Sequence, residues 1–213
     1  INFYLLQCRP QAQRIELERV HIPARVDKAD WIFTANRYIA TALERDLEYI
    51  LYIDPADYDA VDNYADKVRL GRLVAALNYK FCEGERFILM GPGRWGSNNI
   101  DLGIKVSYAD INHTRMLIEI AREKGGMMPD VSFGTHFFQD LVEGGIHHLA
   151  LYPEQPDVFF NESFLREAPN ALAEVLPAFA DLAAYAHVIH VPTAAGGRTL
   201  TVAMDGEDEQ ALA

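Results

Sequence analysis

The chain has 213 residues, of which 50% are apolar and 23% are charged, a balance typical of a folded globular protein and unlike that of a disordered chain. Its 19 Lys and Arg residues against 31 Asp and Glu residues give a formal net charge of −12. This charge argues against a nucleic-acid partner, because phosphate binding needs clustered basic residues. The length suits one large domain or two small ones.

The first half of the chain alternates strand and helix patterns. Short apolar or β-branched runs predict strands at residues 1–8, 31–33, 48–53 and 86–90. Apolar positions at helical spacing predict a helix from about residue 58 to residue 81. The run at 86–90 is almost continuously apolar, which is typical of a strand buried on both faces. Together, the strands at 48–53 and 86–90 and the helix between them predict a parallel βαβ unit.

The second half continues this alternation. A helix is predicted over residues 110–123, with Asp110 as its cap, and a short strand at 131–133. Thr135 is predicted to cap a short helix that ends at Gly144. The remaining predictions are a strand at 147–152, interrupted helices over 162–185, strands at 188–191 and 199–204, and a frayed acidic tail over 206–213. The whole pattern predicts a mixed α/β fold with a largely parallel sheet flanked by helices.

Only two cysteines are present, Cys8 and Cys82, and they are far apart in the sequence. Because this is neither a disulfide framework nor a zinc-ligand spacing, we expect a reduced, cytoplasmic protein without a structural metal. Residues 171–191 form the longest apolar stretch, but Glu174 and Asp181 interrupt it, so no membrane span is predicted.

A glycine-rich segment, residues 91–99 (Gly-Pro-Gly-Arg-Trp-Gly-Ser-Asn-Asn), directly follows the predicted strand at 86–90. In open α/β sheets, ligands bind beyond the carboxyl ends of parallel strands. Glycines let the backbone donate to an anion, arginine clamps phosphate or carboxylate, tryptophan offers a stacking surface and serine a hydroxyl. The predicted ligand-binding residues are therefore Gly91, Gly93, Arg94, Trp95, Gly96 and Ser97. The alternative is a structural turn, with Arg94 paired to an acidic residue and Trp95 in the core.

A second passage from strand to turn to helix covers residues 132–140 (Ser-Phe-Gly-Thr-His-Phe-Phe-Gln-Asp). Ser132 and Thr135 are predicted to bind ligand near a helix N-terminus, where backbone donors favour anions. His136 is the candidate catalytic residue, either as a general acid or base or as a phosphoryl acceptor. The alternative gives Thr135 a capping role and His136 a place in the core. Since both segments follow apolar strands, we expect them to converge at one edge of the sheet.

Residues 3–11 (Phe-Tyr-Leu-Leu-Gln-Cys-Arg-Pro-Gln) resemble the closing strand of the ATP-grasp domain of phosphoenolpyruvate synthase and pyruvate phosphate dikinase, which ends in Leu-Gln-x-Arg-Pro. The resemblance implies that Gln7 and Arg9 bind the phosphates of ATP. It also implies that residues 1–13 end an upstream ATP-grasp domain, that residues 14–205 form a C-terminal α/β domain, and that an acidic tail follows. The start at Ile1, directly before an apolar run, fits a chain that continues such a domain.

The rest of the chain resembles the C-terminal region of phosphoenolpyruvate synthase-like or pyruvate-binding proteins, which share residues 91–97, 102–104 and 132–138. The phosphohistidine motif Thr-x-Gly-Gly-x-x-Ser-His of the complete enzymes does not occur in this sequence, and a phosphoenolpyruvate-binding barrel of about 250 residues does not fit in it. The resemblance implies the C-terminal domain of an ATP-dependent phosphotransferase that binds a phosphate- or carboxylate-bearing ligand at residues 91–97. ATP and Mg²⁺ would be used by the parent protein, and this part alone is expected to be inactive.

Two other functions stay open. One is a noncatalytic regulatory or assembly domain of the same multidomain protein, in which the glycine loop is structural. The other is an independent hydrolase or transferase with His136 as base, which needs a nucleophile or a metal within hydrogen-bond reach. The expected partners are the upstream ATP-grasp domain and a small anionic ligand, and the sequence leaves open whether copies of the chain form a homo-oligomer.

Overall fold

The computed structural model of the protein describes residues 19–123 and 125–213. The strand predicted at residues 1–8, and with it Gln7 and Arg9, lies outside the described residues. Within the described part, the strands are β1 (Thr34–Ala35), β2 (Ala42–Leu47), β3 (Tyr49–Ile53), β4 (Phe87–Pro92), β5 (Met116–Ile120), β6 (His147–Leu151), β7 (Ala186–His190), β8 (Leu200–Asp205) and β9 (Gln210–Leu212). The α-helices are α1 (Pro55–Asp59), α2 (Tyr64–Lys80), α3 (His136–Glu143), α4 (Glu162–Glu167), α5 (Leu172–Val175) and α6 (Val191–Ala194).

The strands form two sheets. The larger sheet has the order β6-β5-β4-β3-β7, in which β3 to β6 are parallel and β7 runs antiparallel at one edge. The smaller sheet is antiparallel, with the order β1-β9-β8-β2. The predicted mixed α/β fold with a largely parallel, helix-flanked sheet is confirmed.

The larger sheet is the middle layer of the fold, with a hydrophobic core on each of its faces. Successive side chains on each strand point to opposite faces, so each strand contributes to both cores. On β3, Ile50 belongs to a core that also contains Val202 of β8, so this face packs on the smaller sheet. The next residue, Leu51, belongs to a core that also contains Leu73 of α2, so the other face packs on helices. The apolar character of β3 and β4 on both faces follows from this double burial.

The predicted βαβ unit is present, since β3 and β4 pair in parallel with helices between them. The single helix predicted over residues 58–81 is wrong in one respect, because it is divided into α1 and α2. Asp54 caps α1 by accepting from the backbone N–H groups of Ala56 and Asp57. Asn63 caps α2 in the same way, accepting from Ala65. Two N-caps in this short stretch start two separate helices.

The helix predicted over residues 110–123 is wrong: this stretch contains β5, a central strand with all five residues buried. Asp110 is not an N-cap either: it is the last residue of a 3₁₀ turn at Tyr108–Asp110 whose N-cap is Ser107, and its carboxylate accepts from the backbone N–H and hydroxyl of Ser107. A short apolar run cannot be assigned to helix or strand by periodicity alone. Here the position between β4 and β6 decides the outcome, because it needs residues that are apolar on both faces.

Three further predictions are corrected. Of the strand predicted at residues 31–33, only Phe33 is paired, in an isolated bridge with Phe160, and β1 begins at Thr34. Residues 131–133 form an irregular loop and not a strand. Residues 206–213 are not frayed, because β9 pairs with β1 on one side and β8 on the other, and Ala211 and Leu212 are buried. The predictions for α3, the interrupted helices and the strands β3, β4, β6, β7 and β8 are confirmed within one or two residues at most boundaries.

Candidate functional site

Both predicted site segments lie beyond the carboxyl ends of parallel strands and line one cleft. The glycine-rich segment follows β4, and the second segment leads into α3, which precedes β6. The cleft has a volume of about 340 Å³. Its lining consists of Arg94, Trp95, Gly96, Ser97, Gly134, Thr135, His136, Phe137 and Gln139. The structure therefore brings together segments that are far apart in the sequence.

The lining of the cleft carries cationic and neutral polar groups and no carboxylate. Arg94 is half-buried, and in the described part of the chain it forms no ion pair. His136 is exposed, and its Nδ1 lies 3.3 Å from Oε1 of Gln139. In a chain with a formal net charge of −12, a concave surface with this composition is a local site of positive potential.

The first turn of α3 adds to this potential, since the N-terminus of a helix carries a partial positive charge. Thr135 caps the helix by accepting from the backbone N–H of Phe138 at 3.2 Å, and its own hydroxyl donates to the carbonyl of Ser132 at 2.7 Å. The capping role predicted as the alternative for Thr135 is thus present. The alternative for His136 is not, because this side chain is exposed and not in the core.

The backbone of the glycine-rich segment does not offer the predicted cradle of N–H groups. The N–H groups of Gly93, Arg94 and Gly96 donate to the carbonyls of Ile120, Leu102 and Ile104, respectively, at 2.8 to 3.1 Å. That of Trp95 donates to the carboxylate of Glu119 at 2.8 Å. These four donors are used by the fold, so they are not available to an anion in the cleft.

The glycines of this segment are explained by backbone conformation and close packing. Gly93 and Gly96 have φ angles of +53° and +71°, in the left-handed region that favours glycine. A Cβ at Gly96 would lie 2.5 Å from Cγ of Phe137. Gly91 is a buried residue of β4, and a Cβ there would lie 2.7 Å from the indole of Trp95. They let the loop pack closely against its neighbours.

Trp95 does not offer the predicted stacking surface. Only 1% of it is exposed, and it belongs to the same core as α2. Its Nε1 is buried and has no hydrogen-bond partner among the described residues. The alternative, a tryptophan that fills the core, is the one the structure shows.

Ser97 and Ser132 differ in access. Ser97 is half-buried in the cleft, and its Oγ accepts from the backbone N–H of Asn99 at 3.1 Å. Ser132 is fully buried, and its Oγ lies 2.5 Å from Oε1 of Glu119 and 2.9 Å from the carbonyl of Trp95. A ligand can therefore reach Ser97, whereas Ser132 holds the loop in place.

Glu119 and His148 are the main residues of this region that the sequence analysis missed. Glu119 lies on β5 with 0% of its surface exposed, and His148 lies on the neighbouring strand β6. Nε2 of His148 is 3.1 Å from Oε2 of Glu119, and Phe138 contacts the histidine ring edge-on. A carboxylate inside the apolar run Met-Leu-Ile-Glu-Ile was a usable signal, but only if that run had been assigned to a strand.

A second polar group lies at the end of β3, around Asp54. The hydroxyl of Tyr52 donates to Oδ2 of Asp54 at 2.5 Å, and the guanidinium of Arg166 lies 3.1 Å from Asp54 and 3.1 Å from Asp57. Burial alone would raise the pKa of Asp54, but the hydrogen bonds from Tyr52 and the α1 backbone, together with Arg166, lower it below its ordinary value. Burial and the hydrogen bond to Asp54 raise the pKa of Tyr52.

These aspartates do not form a site for Mg²⁺. The carboxylate of Asp54 is already occupied by a hydroxyl, two backbone N–H groups and Arg166. Among residues 19–123 and 125–213, no three His, Cys, Asp or Glu side chains are grouped so that they could hold a metal ion. No step of the function proposed below is therefore assigned to a metal bound by this part of the chain.

Comparison with protein-family models, curated proteins and solved structures found no match to this chain. In the described residues, no helix combines the length and apolar character that crossing a membrane requires.

Proposed function

We propose that the cleft between residues 94–97 and 134–139 binds a small ligand that carries a phosphate or a carboxylate. The observation that carries this proposal is the lining itself, in which Arg94 has no ion-pair partner among the described residues and no carboxylate is present. An arginine that is half-buried beside a helix N-terminus suits bidentate binding of an oxyanion. Ser97 and Gln139 add neutral hydrogen-bonding groups to the lining.

The size of the cleft limits the ligand. Its volume of about 340 Å³ is at the lower end of the range for small-molecule pockets. This favours a compact anion such as inorganic phosphate, pyruvate or phosphoenolpyruvate over a whole nucleotide.

On the strength of the resemblance, we assign the chain to the C-terminal part of an ATP-dependent phosphotransferase similar to phosphoenolpyruvate synthase. ATP and Mg²⁺ would be used by the upstream ATP-grasp domain, with Gln7 and Arg9 near the phosphates. In this role His136 is the candidate catalytic residue, since it is exposed in the same cleft as Arg94. Phosphoryl transfer depends mainly on positioning and charge stabilisation, which an arginine and a helix N-terminus can supply.

The second candidate is a noncatalytic regulatory domain that binds the same anion. It is favoured by the use of the N–H groups of residues 93–96 within the fold and by the burial of Ser132. An independent hydrolase is the weakest candidate. Among the described residues, His136 is hydrogen-bonded to Gln139 and to no nucleophile, whereas that function needs a nucleophile or metal within reach.

The test is a calorimetric titration of the chain with inorganic phosphate, pyruvate, phosphoenolpyruvate and ATP. We expect saturable binding of at least one compact anion and its loss in Arg94→Ala. Arg72→Ala is the matched control, because Arg72 is exposed on α2, away from the cleft lining, and its replacement changes the net charge equally. Absence of saturable binding by the wild-type chain, or equal weakening in the two variants, would contradict the proposal.

His136 separates the two candidates. His136→Asn keeps a polar side chain at the start of α3 but cannot accept a phosphoryl group. In the parent protein, a catalytic role predicts loss of turnover with little change in affinity for the anion. A regulatory role predicts that turnover of the variant remains and that only its response to the anion changes.

A further inference from the structure

We propose that Glu119 is the positioning residue of the anion cleft, holding its two walls at a fixed separation from inside the protein. This inference rests on the proposed function, since it assigns a role in the binding of the same anion. Glu119 itself does not line the cleft and has no surface through which it could touch a ligand.

The two carboxylate oxygens of Glu119 receive hydrogen bonds from the first wall of the cleft (residues 94–97) and from the loop that leads into the second (residues 134–139). Oε1 is 2.8 Å from the backbone N of Trp95, in the first wall, and 2.5 Å from Oγ of Ser132, which lies just before the second. Oε2 is 2.5 Å from the backbone N of Ser132 and 3.1 Å from Nε2 of His148. With Glu119 ionised, all four groups donate, and two segments far apart in the sequence meet on one carboxylate.

Short connections lead from Glu119 to the groups that would bind the anion. In the first wall, Trp95 is directly bonded to Arg94. On the side of the second wall, Thr135 donates from its backbone N–H and its hydroxyl to the carbonyl of Ser132, at 3.0 and 2.7 Å. Thr135 in turn caps α3, whose first residue is His136. A shift of the carboxylate therefore moves both the guanidinium and the start of the helix.

The chemistry of the site requires a carboxylate. An ionised carboxylate is an acceptor at all of its lone pairs and can accept from four donors, as it does here. A glutamine of the same shape has one acceptor oxygen, and whichever way its amide is turned, the NH₂ group would face one of the two backbone N–H donors, that of Trp95 or that of Ser132. The Ser132 hydroxyl and the His148 ring can reverse their roles, but a backbone N–H cannot. A buried donor that loses its acceptor destabilises the folded protein, so the two loops around residue 119 would rearrange.

A catalytic triad is not the explanation for this cluster. Ser132 is fully buried and is hydrogen-bonded to Glu119, not to His148. A nucleophilic serine needs a base that takes its proton and a substrate that can reach it. Both serine and histidine instead point to a central carboxylate, which is the arrangement of a structural support.

The experiment compares Glu119→Gln with the wild-type chain in phosphate affinity and in amide hydrogen exchange. We expect phosphate binding to weaken by about tenfold or more, as is typical when a group that orients a binding residue is removed. The amides of Trp95 and Ser132 should lose protection together. Leu117→Ala is the control, because Leu117 is buried on the same strand and face but does not line the cleft and carries no hydrogen-bonding side chain. It should lower stability without changing the affinity of the folded protein.

Ser132→Ala is the second variant, in case Glu119→Gln does not fold. It removes one of the four donors and keeps the backbone donor, so it should weaken phosphate binding by less than Glu119→Gln does. Since both residues act through one network, the effects of the two substitutions should not be additive in the double variant.

The results also separate the two proposals. Suppose that the wild-type chain binds phosphate and that the folded Glu119→Gln or Ser132→Ala variant keeps the wild-type affinity. The proposed positioning role of Glu119 is then wrong, whereas anion binding in the cleft remains supported. If the wild-type chain does not bind any of the compact anions, the proposed function is wrong. In that case, unchanged protection of Trp95 and Ser132 in Glu119→Gln would overturn the positioning role too.

Discussion

The hydroxyl oxygen of Ser132 lies 2.9 Å from the backbone carbonyl oxygen of Trp95, so the loop after β4 is in contact with the loop before α3. Both residues belong to motifs that predict ligand contact, and both are buried. Their neighbours Arg94 and His136, by contrast, are accessible in the cleft. In each segment, therefore, a buried residue holds the loop in position and an accessible residue is available to a ligand.

Burial of Trp95 can be checked by fluorescence, because the chain has only two tryptophans. In Trp31→Phe, the remaining emission comes from Trp95 and should be resistant to quenching by acrylamide. It should also be unchanged by phosphate, since the indole is not a surface of the cleft available for stacking. Trp95→Phe, which leaves the half-buried Trp31, is the comparison and should be quenched more strongly. Equal quenching in the two variants would mean that Trp95 is accessible.

Gly96 and Gly197 form a matched pair, because both have positive φ but only Gly96 has a close neighbour. In Gly197→Ala the new Cβ would lie in open space, so the free energy of unfolding should fall only because of the positive φ angle, by about 1 kcal/mol. Gly96→Ala also forces the new Cβ into the ring of Phe137, which should add about 1–3 kcal/mol to the loss. Urea unfolding of both variants measures the difference, and equal losses would show that the ring of Phe137 moves aside freely.

Asp54 should make the stability of the protein depend on acid pH. Its pKa is lower in the folded protein than the ordinary value of 3.8, so the unfolded chain binds its proton more readily. The stabilisation is therefore complete above pH 3.8 and is lost as the pH falls through the folded pKa. Asp54→Asn should lower the free energy of unfolding at pH 7 by about 2 kcal/mol.

The difference between the wild type and Asp54→Asn should become smaller as the pH is lowered from 3.8 toward the folded pKa of Asp54. Chemical unfolding at several pH values measures this convergence. A difference that is independent of pH over this range would show that the charge of Asp54 does not contribute.

His187 should make the stability of the protein depend on pH in a higher range than Asp54 does. Burial lowers its pKa below 6.5, and the nearby positive charge of Arg166 lowers it further, against the opposing effect of Asp57 and Asp54. Since the unfolded chain then binds the proton more readily, stability should fall as the pH drops through 6.5 toward the folded pKa. Replacing the side chain in His187→Gln should make the free energy of unfolding less dependent on pH between 7 and 5. Parallel pH profiles for the wild type and the variant would contradict this assignment.

The sequence was sufficient where local signals and the fold agree. Thr135 and Gly144 bound α3 as predicted, since capping chemistry is local. The double burial of β4 was also readable, because a strand between two parallel neighbours has to be apolar on both faces. The two loops meet as expected, but the reason given for the second loop was wrong, because no strand exists at residues 131–133 and Ser132 is instead held by Glu119 of β5.

The sequence was not sufficient where a residue's role depends on the other strands. β5 was predicted as a helix because its apolar residues also fit helical spacing, and only its place in the sheet decides between the two. Glu119, on β5, was missed for the same reason. His148 lies on the correctly predicted β6, and its role depends on the neighbouring Glu119. The burial of Trp95 depends on the absence of a side chain at Gly91, a contact that spacing along the chain does not predict.

The place of β9 between β1 and β8 affects how the protein can be shortened for experiments. The acidic composition of residues 206–209 makes this end of the sequence an obvious one to trim. A protein that stops at Gly206 would leave β1 without its strand partner and would expose an unpaired edge of β8. Such a truncation should aggregate, so titrations and exchange measurements need a protein that retains Gln210 to Leu212.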